Sequence, residues 1–360
     1  MASEKIPKRL HRLALIASAK TISEYSLFLR HLMPGLADES IPTVLICPPK
    51  CDVDSIIIGA VDVIRFPILE LPLTNKLNKK LLVERLRKFN PTILHCLCES
   101  QALLTRKIAR KLNLPYILVV NSLHKRFRKI SISPERCLKI VVPTKSIEAD
   151  MIKFYPSFID RIERINIGSF VSASEHCFSN NSSHANIITV HPLHHSDEFE
   201  NLFSAFRHLH IDGYEFMIVI IDSSKSEDKL WKMLKALDLL HSVTIVPRKM
   251  SWRSILASGD IFIRPCSDNA FDPLLLGAMS VGAAVAGCRG GVDDLLIEDQ
   301  TAVIFDSKDD LSIMRTLQRL LDRHEFAQKI AKNAQEYIKK NHSVSNMISS
   351  ILKIYNETEN

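Results

Sequence analysis

Glycine is scarce in this sequence, with 10 residues among 360. Folds that bind nucleotides through a glycine-rich turn place it after the first strand, where the missing side chain lets the backbone approach a phosphate. The corresponding turn here, residues 19–23, reads Ala-Lys-Thr-Ile-Ser and contains no glycine. The first half of the sequence therefore gives no support for a glycine-loop phosphate site.

Long apolar runs are missing as well, since none reaches the roughly 20 residues that a membrane-spanning helix needs. Basic residues at the start precede a short apolar run, 13–19, but polar residues follow it at once. This pattern favours a buried first strand over a signal peptide. No low-complexity tract interrupts a composition typical of globular proteins. We therefore expect a cytoplasmic protein.

Cysteine spacing gives no metal site. Eight cysteines are scattered along the chain, and the pairs at 47 and 51 and at 96 and 98 each lack a second pair at zinc spacing. Residues 96 and 98 also lie in or at the end of an apolar strand pattern, which does not favour a shared metal. The sequence predicts reduced structural thiols and no metal.

Charge is unevenly divided along the chain. Residues 1–170 contain 28 lysines and arginines against 15 aspartates and glutamates, whereas the remainder is acidic. The basic excess is concentrated in 76–88 and 106–129. Two interpretations remain open: a pair of solvated helix faces, or a surface for an acidic partner or an anionic membrane. No nucleic-acid-binding motif accompanies the charge, so no nucleic acid is expected.

The length predicts two domains, because a single core seldom supports 360 residues. Short apolar strands alternate with helical patterns in both halves, which indicates parallel α/β sheets. We predict two doubly wound Rossmann-like domains facing across a cleft: a basic N-terminal domain at 1–171, a linker at 172–185, and a C-terminal domain at 186–342. A final helix, 343–360, is expected to cross back to the first domain.

One stretch, 259–295, organises the second half. It reads as a strand at 261–264, a helix at 274–281, a strand at 283–286 and a turn at Gly290 and Gly291. Such a βαβ unit brings the carboxyl ends of its strands beside the start of a helix. Free N–H groups at a helix start attract anions, so we expect an anion site here.

The same stretch carries a family resemblance. From residue 260 it reads DIFIRPCSDNAFDPLLLGAMSVGAAV, followed by GGVDD from residue 290. It resembles, without a gap, the end of the GT-B glycosyltransferases of family 4, the group 1 transferases. The matching motif of that family contains, in order, an aspartate, an apolar strand, a proline, two glutamates eight positions apart and a Gly-Gly turn. The resemblance implies a GT-B fold and a nucleotide-diphosphate sugar as co-substrate, with no metal or other cofactor.

Departures from the family pattern fall on the donor site. The family's paired glutamates hold the sugar hydroxyls and the ribose, and their positions are Asn269 and Gly277 here. Asn269 can still form hydrogen bonds, whereas Gly277 cannot. The arginine and lysine that neutralise the diphosphate fall on Pro192 and Asp197. His191 beside them is either a source of weaker, pH-dependent positive charge or a surface polar residue.

The resemblance also implies the remaining site residues. Around the donor these are Ala270, Phe271, Gly290, Gly291 and Asp294, with backbone N–H groups near Phe271 and the Gly-Gly turn holding phosphate. The family's active-site histidine falls on Asn121, and His124 lies three residues further on. Both are expected near the reaction centre.

Two functions follow as expectations. The first is transfer of a sugar, of the hexosyltransferase type, from a nucleotide-diphosphate sugar to a glycan, lipid or protein acceptor, with weakened donor-site chemistry. The alternative is a catalytically inactive relative that serves as partner subunit of a paralogous glycosyltransferase or as a glycan- or anion-binding module. In either case the basic first domain could bind an acidic partner or the inner face of a membrane.

Overall fold

A computed structural model describes residues 11–54, 56, 61–67, 72–125, 129–173, 177–179, 184–191, 196–222, 227–247 and 252–357. The chain forms two compact units. The first comprises Met1–Ile167 and Val344–Asn360, and the second comprises Gly168–Ser343.

The first unit alternates strands and helices in the way that the sequence predicts for a parallel sheet. Its elements are β1 (Leu13–Ile16), α1 (Ala19–Glu24), α2 (Ser26–Asp38), β2 (Thr43–Cys47), β3 (Asp62–Arg65), α3 (Pro72–Phe89), β4 (Ile93–Cys96), α4 (Ala102–Leu112), β5 (Tyr116–Val119), β6 (Cys137–Val142), α5 (Lys145–Phe154) and β7 (Ile162–Arg164).

The second unit follows the same scheme and ends in two longer helices. Its elements are β8 (Ala185–His191), α6 (Ser196–Ile211), β9 (Phe216–Asp222), α7 (Glu227–Ala236), β10 (Val243–Pro247), α8 (Trp252–Ala257), β11 (Ile261–Arg264), α9 (Pro273–Val281), β12 (Ala284–Cys288), β13 (Val303–Phe305), α10 (Asp310–Asp322) and α11 (His324–Asn341). The last helix, α12 (Val344–Asn356), packs in the first unit.

Each unit contains one parallel sheet with a doubly wound strand order. The order is β3-β2-β1-β4-β5-β6-β7 in the first unit and β10-β9-β8-β11-β12-β13 in the second. All of the strand pairs described between these elements are parallel. The strand order reverses between β1 and β4 and again between β8 and β11. Ligands of such sheets bind outside the carboxyl ends of the strands at this reversal, called the switch point below.

One part of the core of the second unit lies between α6 and the sheet. Phe199, Phe203 and Phe206 of α6 are fully buried there, in one cluster with Ile218 and Ile261 of the strands. Phenylalanine at positions 199, 203 and 206 recurs at helical spacing, so one face of α6 is apolar and is fixed against the sheet. This packing holds in place the sheet whose carboxyl edge carries the candidate site.

The first unit ends at Ile167 rather than at residue 171, because the next residues pack on the second unit. The Ser169 hydroxyl donates to that of Ser280 at 3.0 Å, and the Ser172 N–H donates to the Ser280 carbonyl at 2.9 Å.

The predicted linker, 172–185, also falls within the second unit. Cys177 is buried in its core, and the Phe178 ring stacks on His324 with 4.0 Å between ring centres. The Asp260 carboxylate accepts hydrogen bonds from the N–H groups of Phe178 and Asn186, at 2.7 and 2.9 Å.

Candidate functional site

The switch point of the second unit lies between the ends of β8 and β11. Ile187 pairs with Ile261 and Thr189 with Ile263, so the last residues of these two strands reach the same edge of the sheet. On the other side of β11, Arg264 pairs with Gly287 of β12. The ends of β8, β11 and β12 therefore lie side by side at this edge of the sheet.

The loops after β11 and β12 are fixed to each other at one point. Asp268 and Gly291 form a parallel bridge, and the Asp268 carbonyl accepts the Val292 N–H at 2.7 Å. Gly291 has a φ of +64°, and a Cβ there would lie 2.6 Å from the carbonyl carbon of Asp268. Only glycine permits this approach without displacing a loop. The Gly-Gly turn is therefore required for the crossing of the two loops.

The N–H groups at the start of α9 are occupied in this structure, whereas the sequence analysis expected them to be free. Asp272 is the N-cap residue, and its carboxylate accepts the N–H groups of Leu274 and Leu275 at 2.9 and 3.2 Å. Pro273 has no N–H, and Leu276 donates to the Asp272 carbonyl. An anion approaching this helix start meets a carboxylate.

Other backbone donors of the two loops are also occupied. The Ala270 N–H donates to the Asp268 carboxylate at 3.0 Å. The Gly290 N–H donates to the Asp293 carboxylate at 3.0 Å. Both amides were expected to hold phosphate, and in this structure they hold side chains of their own loops.

Gly277 faces helix α8 rather than open space. A Cβ at this position would lie 2.7 Å from Cζ3 of Trp252 and 3.1 Å from Cδ1 of Leu256. The indole ring therefore fills the place where a side chain at 277 would begin, and α8 and α9 pack closely through this contact. No ligand reaches the Cα of Gly277 from this side without moving the ring.

The structure brings several of the predicted donor-site residues to the loops after β11 and β12. Asn269 is exposed in the first loop, Phe271 is buried behind it, and Asp294 is partly exposed in the second loop. His191 ends β8 at the same sheet edge, where only its backbone is described. Pro192, His194 and His195 lie outside the described residues, and Asp197 falls in the first turn of α6.

Arg264 is a candidate that the sequence analysis missed. It is the last residue of β11, only 4% exposed, and its Nε and Nη1 have no hydrogen-bond partner among the described residues. Its Nη2 donates to the carbonyl of Asp268 over a long 3.4 Å, at the crossing of the two loops. The available signal was a single cation at the end of an otherwise apolar strand.

Asn121 and His124, the predicted catalytic residues, follow β5 in the first unit and have separate surroundings. The Asn121 side chain is buried. Its Nδ2 donates to the Leu97 carbonyl at 3.1 Å, and its Oδ1 has no hydrogen-bond partner among the residues that the structure describes. The Asn121 N–H donates to the Glu99 carboxylate at 3.2 Å. Asn121 is thus oriented by the loop that follows β4.

The His124 ring packs against the end of α5. It stacks on Phe154 with 4.4 Å between ring centres and meets Tyr155 edge-on at 5.7 Å. Its backbone N–H donates to the Asp150 carboxylate at 2.6 Å, and its buried Nδ1 has no hydrogen-bond partner.

An apolar cavity lies at the carboxyl edge of the first sheet, and Asn121 and His95 are among the few polar side chains that line it. Burial lowers the pKa of His95 to about 3, so the imidazole is neutral at physiological pH. His95 Nδ1 is 2.6 Å from the Tyr355 hydroxyl of α12, and its Nε2 has no hydrogen-bond partner in the described part of the chain. The lining consists of Thr21, Tyr25, Phe28, His95, Leu97, Val119, Asn121, Val141, Pro143, Ile165, Ile167, Met347 and Ile351.

Among the described residues, no three His, Cys, Asp or Glu side chains lie close enough together to bind one metal ion. No helix in the same ranges is long and apolar enough to cross a membrane. The eight cysteines are free thiols. Burial raises the pKa of Cys47 to about 11 and of Cys177 to about 12, which keeps both thiols protonated and poorly reactive.

Several solved structures align with nearly the whole of this chain. A glycosyltransferase from Rickettsia africae ESF-5 aligns with a TM-score of 0.78 and 15% identity, over 97% of this chain and 98% of that one. Anabaena HepE, solved with UDP and glucose, aligns with a TM-score of 0.77 and 10% identity, over 96% of this chain and 100% of that one. Sucrose-phosphate synthase of Thermosynechococcus elongatus aligns with a TM-score of 0.77 and 14% identity, over 97% of this chain and 99% of that one. The chain has the GT-B fold of these enzymes.

Sequence comparison finds a family match over part of the chain. Residues 178–337 match the family described as glycosyl transferases group 1. A sulfoquinovosyl transferase of Arabidopsis thaliana is 29% identical over 130 residues, which are 35% of this chain and 25% of that protein. The aligned part thus spans a quarter of that relative's length. The second unit is similar to the group 1 glycosyl transferases, which confirms the resemblance drawn from residues 260–294.

The loop crossing predicts unequal costs for two glycine substitutions. Gly291→Ala should destabilise the second unit by roughly 2–4 kcal/mol, because a left-handed φ and a clash with the Asp268 carbonyl add together. Gly213→Ala is the matched control, since its φ is +88° and a Cβ meets nothing within 4 Å. It should cost only about 1–2 kcal/mol. Equal losses in denaturant unfolding would show that the two loops are not held together.

Proposed function

We propose that this chain transfers a sugar from a nucleotide-diphosphate sugar to a glycan, lipid or protein acceptor, with a donor site weaker than is usual in its family. The observation that carries the proposal is the crossing at Asp268 and Gly291. It presents the loops after β11 and β12 together at the switch point, where doubly wound sheets bind ligands. The UDP and glucose in the Anabaena relative support the donor class.

In the proposed reaction, the bond between the anomeric carbon and the diphosphate oxygen breaks, and its electron pair goes to that oxygen. An acceptor hydroxyl forms the new bond to the anomeric carbon and releases its proton. Asn269 contacts the sugar through its exposed amide, and the loop that ends at Asp294 borders the nucleotide. Asn121 and His124 act on the acceptor side.

A catalytically inactive relative is the second candidate, and specific observations favour it. The Trp252 ring fills the position beside Gly277, where the family has a ribose-binding glutamate. The carboxylates of Asp272 and Asp293 occupy amides that were expected to bind phosphate. Such a protein would serve as partner subunit of a paralogous transferase or bind a glycan or anion without turnover.

The first unit supplies a candidate surface for an anionic partner. Lys107 and Lys111 of α4 lie near Lys79 of α3, whose pKa is lowered by burial and by these two charges. Leu103, four residues before Lys107 on the same helix, is 50% exposed. Cations beside an exposed leucine suit a membrane interface with anionic lipids. We extend the proposal to peripheral binding of this surface, from the cytoplasmic side.

Nucleotide binding separates transfer from the inactive alternative. The unfolding temperature of the protein is measured with UDP, ADP and GDP and with their glucose conjugates, each at millimolar concentration. One nucleoside diphosphate and its glucose conjugate should raise it. A ligand at 100 times its Kd stabilises by about 2.7 kcal/mol. Asn269→Ala should weaken the sugar conjugate more than the free nucleotide, whereas the exposed Asn356→Ala control should change neither. If no nucleotide shifts the transition, donor-dependent transfer is wrong; if one binds without release of nucleoside diphosphate to any acceptor, the inactive candidate stands.

Restoring the ribose contact requires two substitutions. Gly277→Glu alone should destabilise the protein by about 1–3 kcal/mol, because the new side chain collides with the indole of Trp252. With Trp252→Ala added, the glutamate has room, and affinity for the nucleotide should rise severalfold. Trp252→Ala alone is the control and should leave nucleotide affinity unchanged. An unchanged affinity of the double variant in calorimetry would show that position 277 does not face the ribose.

Vesicle binding tests the cationic surface. Sedimentation with vesicles containing phosphatidylserine should retain the full chain, and neutral phosphatidylcholine vesicles should not. Lys107→Glu with Lys111→Glu should weaken binding at least about tenfold, since each basic residue near such a surface contributes about 1 kcal/mol. Lys339→Glu with Lys340→Glu, on exposed positions of α11, is the matched control. Equal loss in both pairs would refute a defined surface.

A further inference from the structure

Arg264 is a buried cation with unused donors. Its Nε carries one N–H and its Nη1 two, so three of its five donors have no partner among the described residues. No acidic side chain forms an ion pair with it there, and its one hydrogen bond is the long contact with the Asp268 carbonyl. A buried charge without an acceptor is destabilising in the ligand-free protein. This arrangement indicates an anion that the fold itself does not supply.

The position of Arg264 fits an anion bound at the switch point. It ends β11, one of the two strands between which the strand order reverses, and its guanidinium touches the loop crossing at Asp268. Its neighbour strand β8 ends at His191, so the two strand ends lie side by side. A cation at the end of β11 therefore lies at the same sheet edge as the end of β8.

Backbone N–H groups near the switch point are already occupied, so a side chain has to bind the anion. At the start of α9 and at the Gly-Gly turn, carboxylates of Asp272 and Asp293 accept the N–H groups that an anion would use. A guanidinium provides several donors and a full charge in one group, which suits phosphate oxygens.

We propose that Arg264 binds the diphosphate of the donor. Its positive charge replaces that of the arginine and lysine that the family has after β8, at the positions of Pro192 and Asp197. The inference rests on the proposed transfer function. When the glycosidic bond breaks, negative charge grows on the departing diphosphate, and the guanidinium stabilises it. Arg264 is then the residue that lets a donor site without the family's arginine and lysine bind and release a nucleoside diphosphate.

The test compares Arg264→Met, which removes the charge at similar volume, with Arg289→Met as matched control. Arg289 lies in the next loop, is exposed, and loses the same charge when replaced. Calorimetric titrations use UDP, ADP, GDP, the corresponding monophosphates and inorganic pyrophosphate. Wild type and Arg289→Met should prefer the diphosphate to the monophosphate. Arg264→Met should bind pyrophosphate and the diphosphate at least about tenfold more weakly and lose that preference.

Stability of the ligand-free protein supplies a second readout. Arg264→Met should unfold at the same or a higher denaturant concentration than wild type, because it removes an uncompensated buried charge. A marked loss of stability would mean that the guanidinium is structural and would overturn the proposal. Arg264→Lys keeps a cation and should retain part of the preference for diphosphate.

The outcomes separate this proposal from the proposed function. Equal diphosphate affinity in wild type and Arg264→Met overturns the role of Arg264 and leaves transfer standing. Pyrophosphate binding that depends on Arg264, without any nucleotide binding, supports the anion site and contradicts transfer. A wild-type protein that binds neither pyrophosphate nor nucleotide overturns both.

Discussion

The carbonyl oxygen of Asp268 is the point on which the candidate site depends. It accepts the Val292 N–H at 2.7 Å and lies where a Cβ at Gly291 would stand. It also accepts the long hydrogen bond from Arg264 Nη2. Two loops that leave neighbouring strands are thereby held at a fixed separation. A ligand at the switch point meets preformed walls, so less conformational entropy is lost on binding than with mobile loops.

Electrostatics at this edge differ from those of a helix-terminus anion site. Asp272 and Asp293 satisfy the backbone donors of their own loops, which stabilises the loops without any ligand. The same hydrogen bonds remove the donors that would otherwise hold phosphate. Positive charge is retained in Arg264, beneath the crossing. If Arg264 binds an anion as proposed, local stability and anion binding fall to different residues of one small region.

The sequence predicts the scaffold well because its signals are local. The strand at 261–264 has the predicted bounds, since a short apolar run ends at Pro265. Asp272 before Pro273 is a recognisable N-cap with proline at the first helical position. The sequence alone could therefore have predicted that the first amides of α9 are occupied. The contact of Gly277 with Trp252 joins residues of different helices and was not available. Nor was the burial of Arg264, which depends on the loops that cover it.

Among the described residues, buried polar groups without hydrogen-bond partners occur at the carboxyl edges of both sheets. In the first unit they include His95 Nε2 and Asn121 Oδ1, beside the apolar cavity, and in the second they include Nε and Nη1 of Arg264. The difference is charge: burial keeps His95 neutral, so its unpaired nitrogen costs only a lost hydrogen bond, about 1–3 kcal/mol. Arginine stays protonated in proteins and cannot lower its cost in that way. A water molecule can satisfy a neutral imidazole, whereas a buried guanidinium keeps its charge, which an anion compensates best. The anion proposed at Arg264 would remove this cost in the second unit, and the neutral groups of the first unit need none.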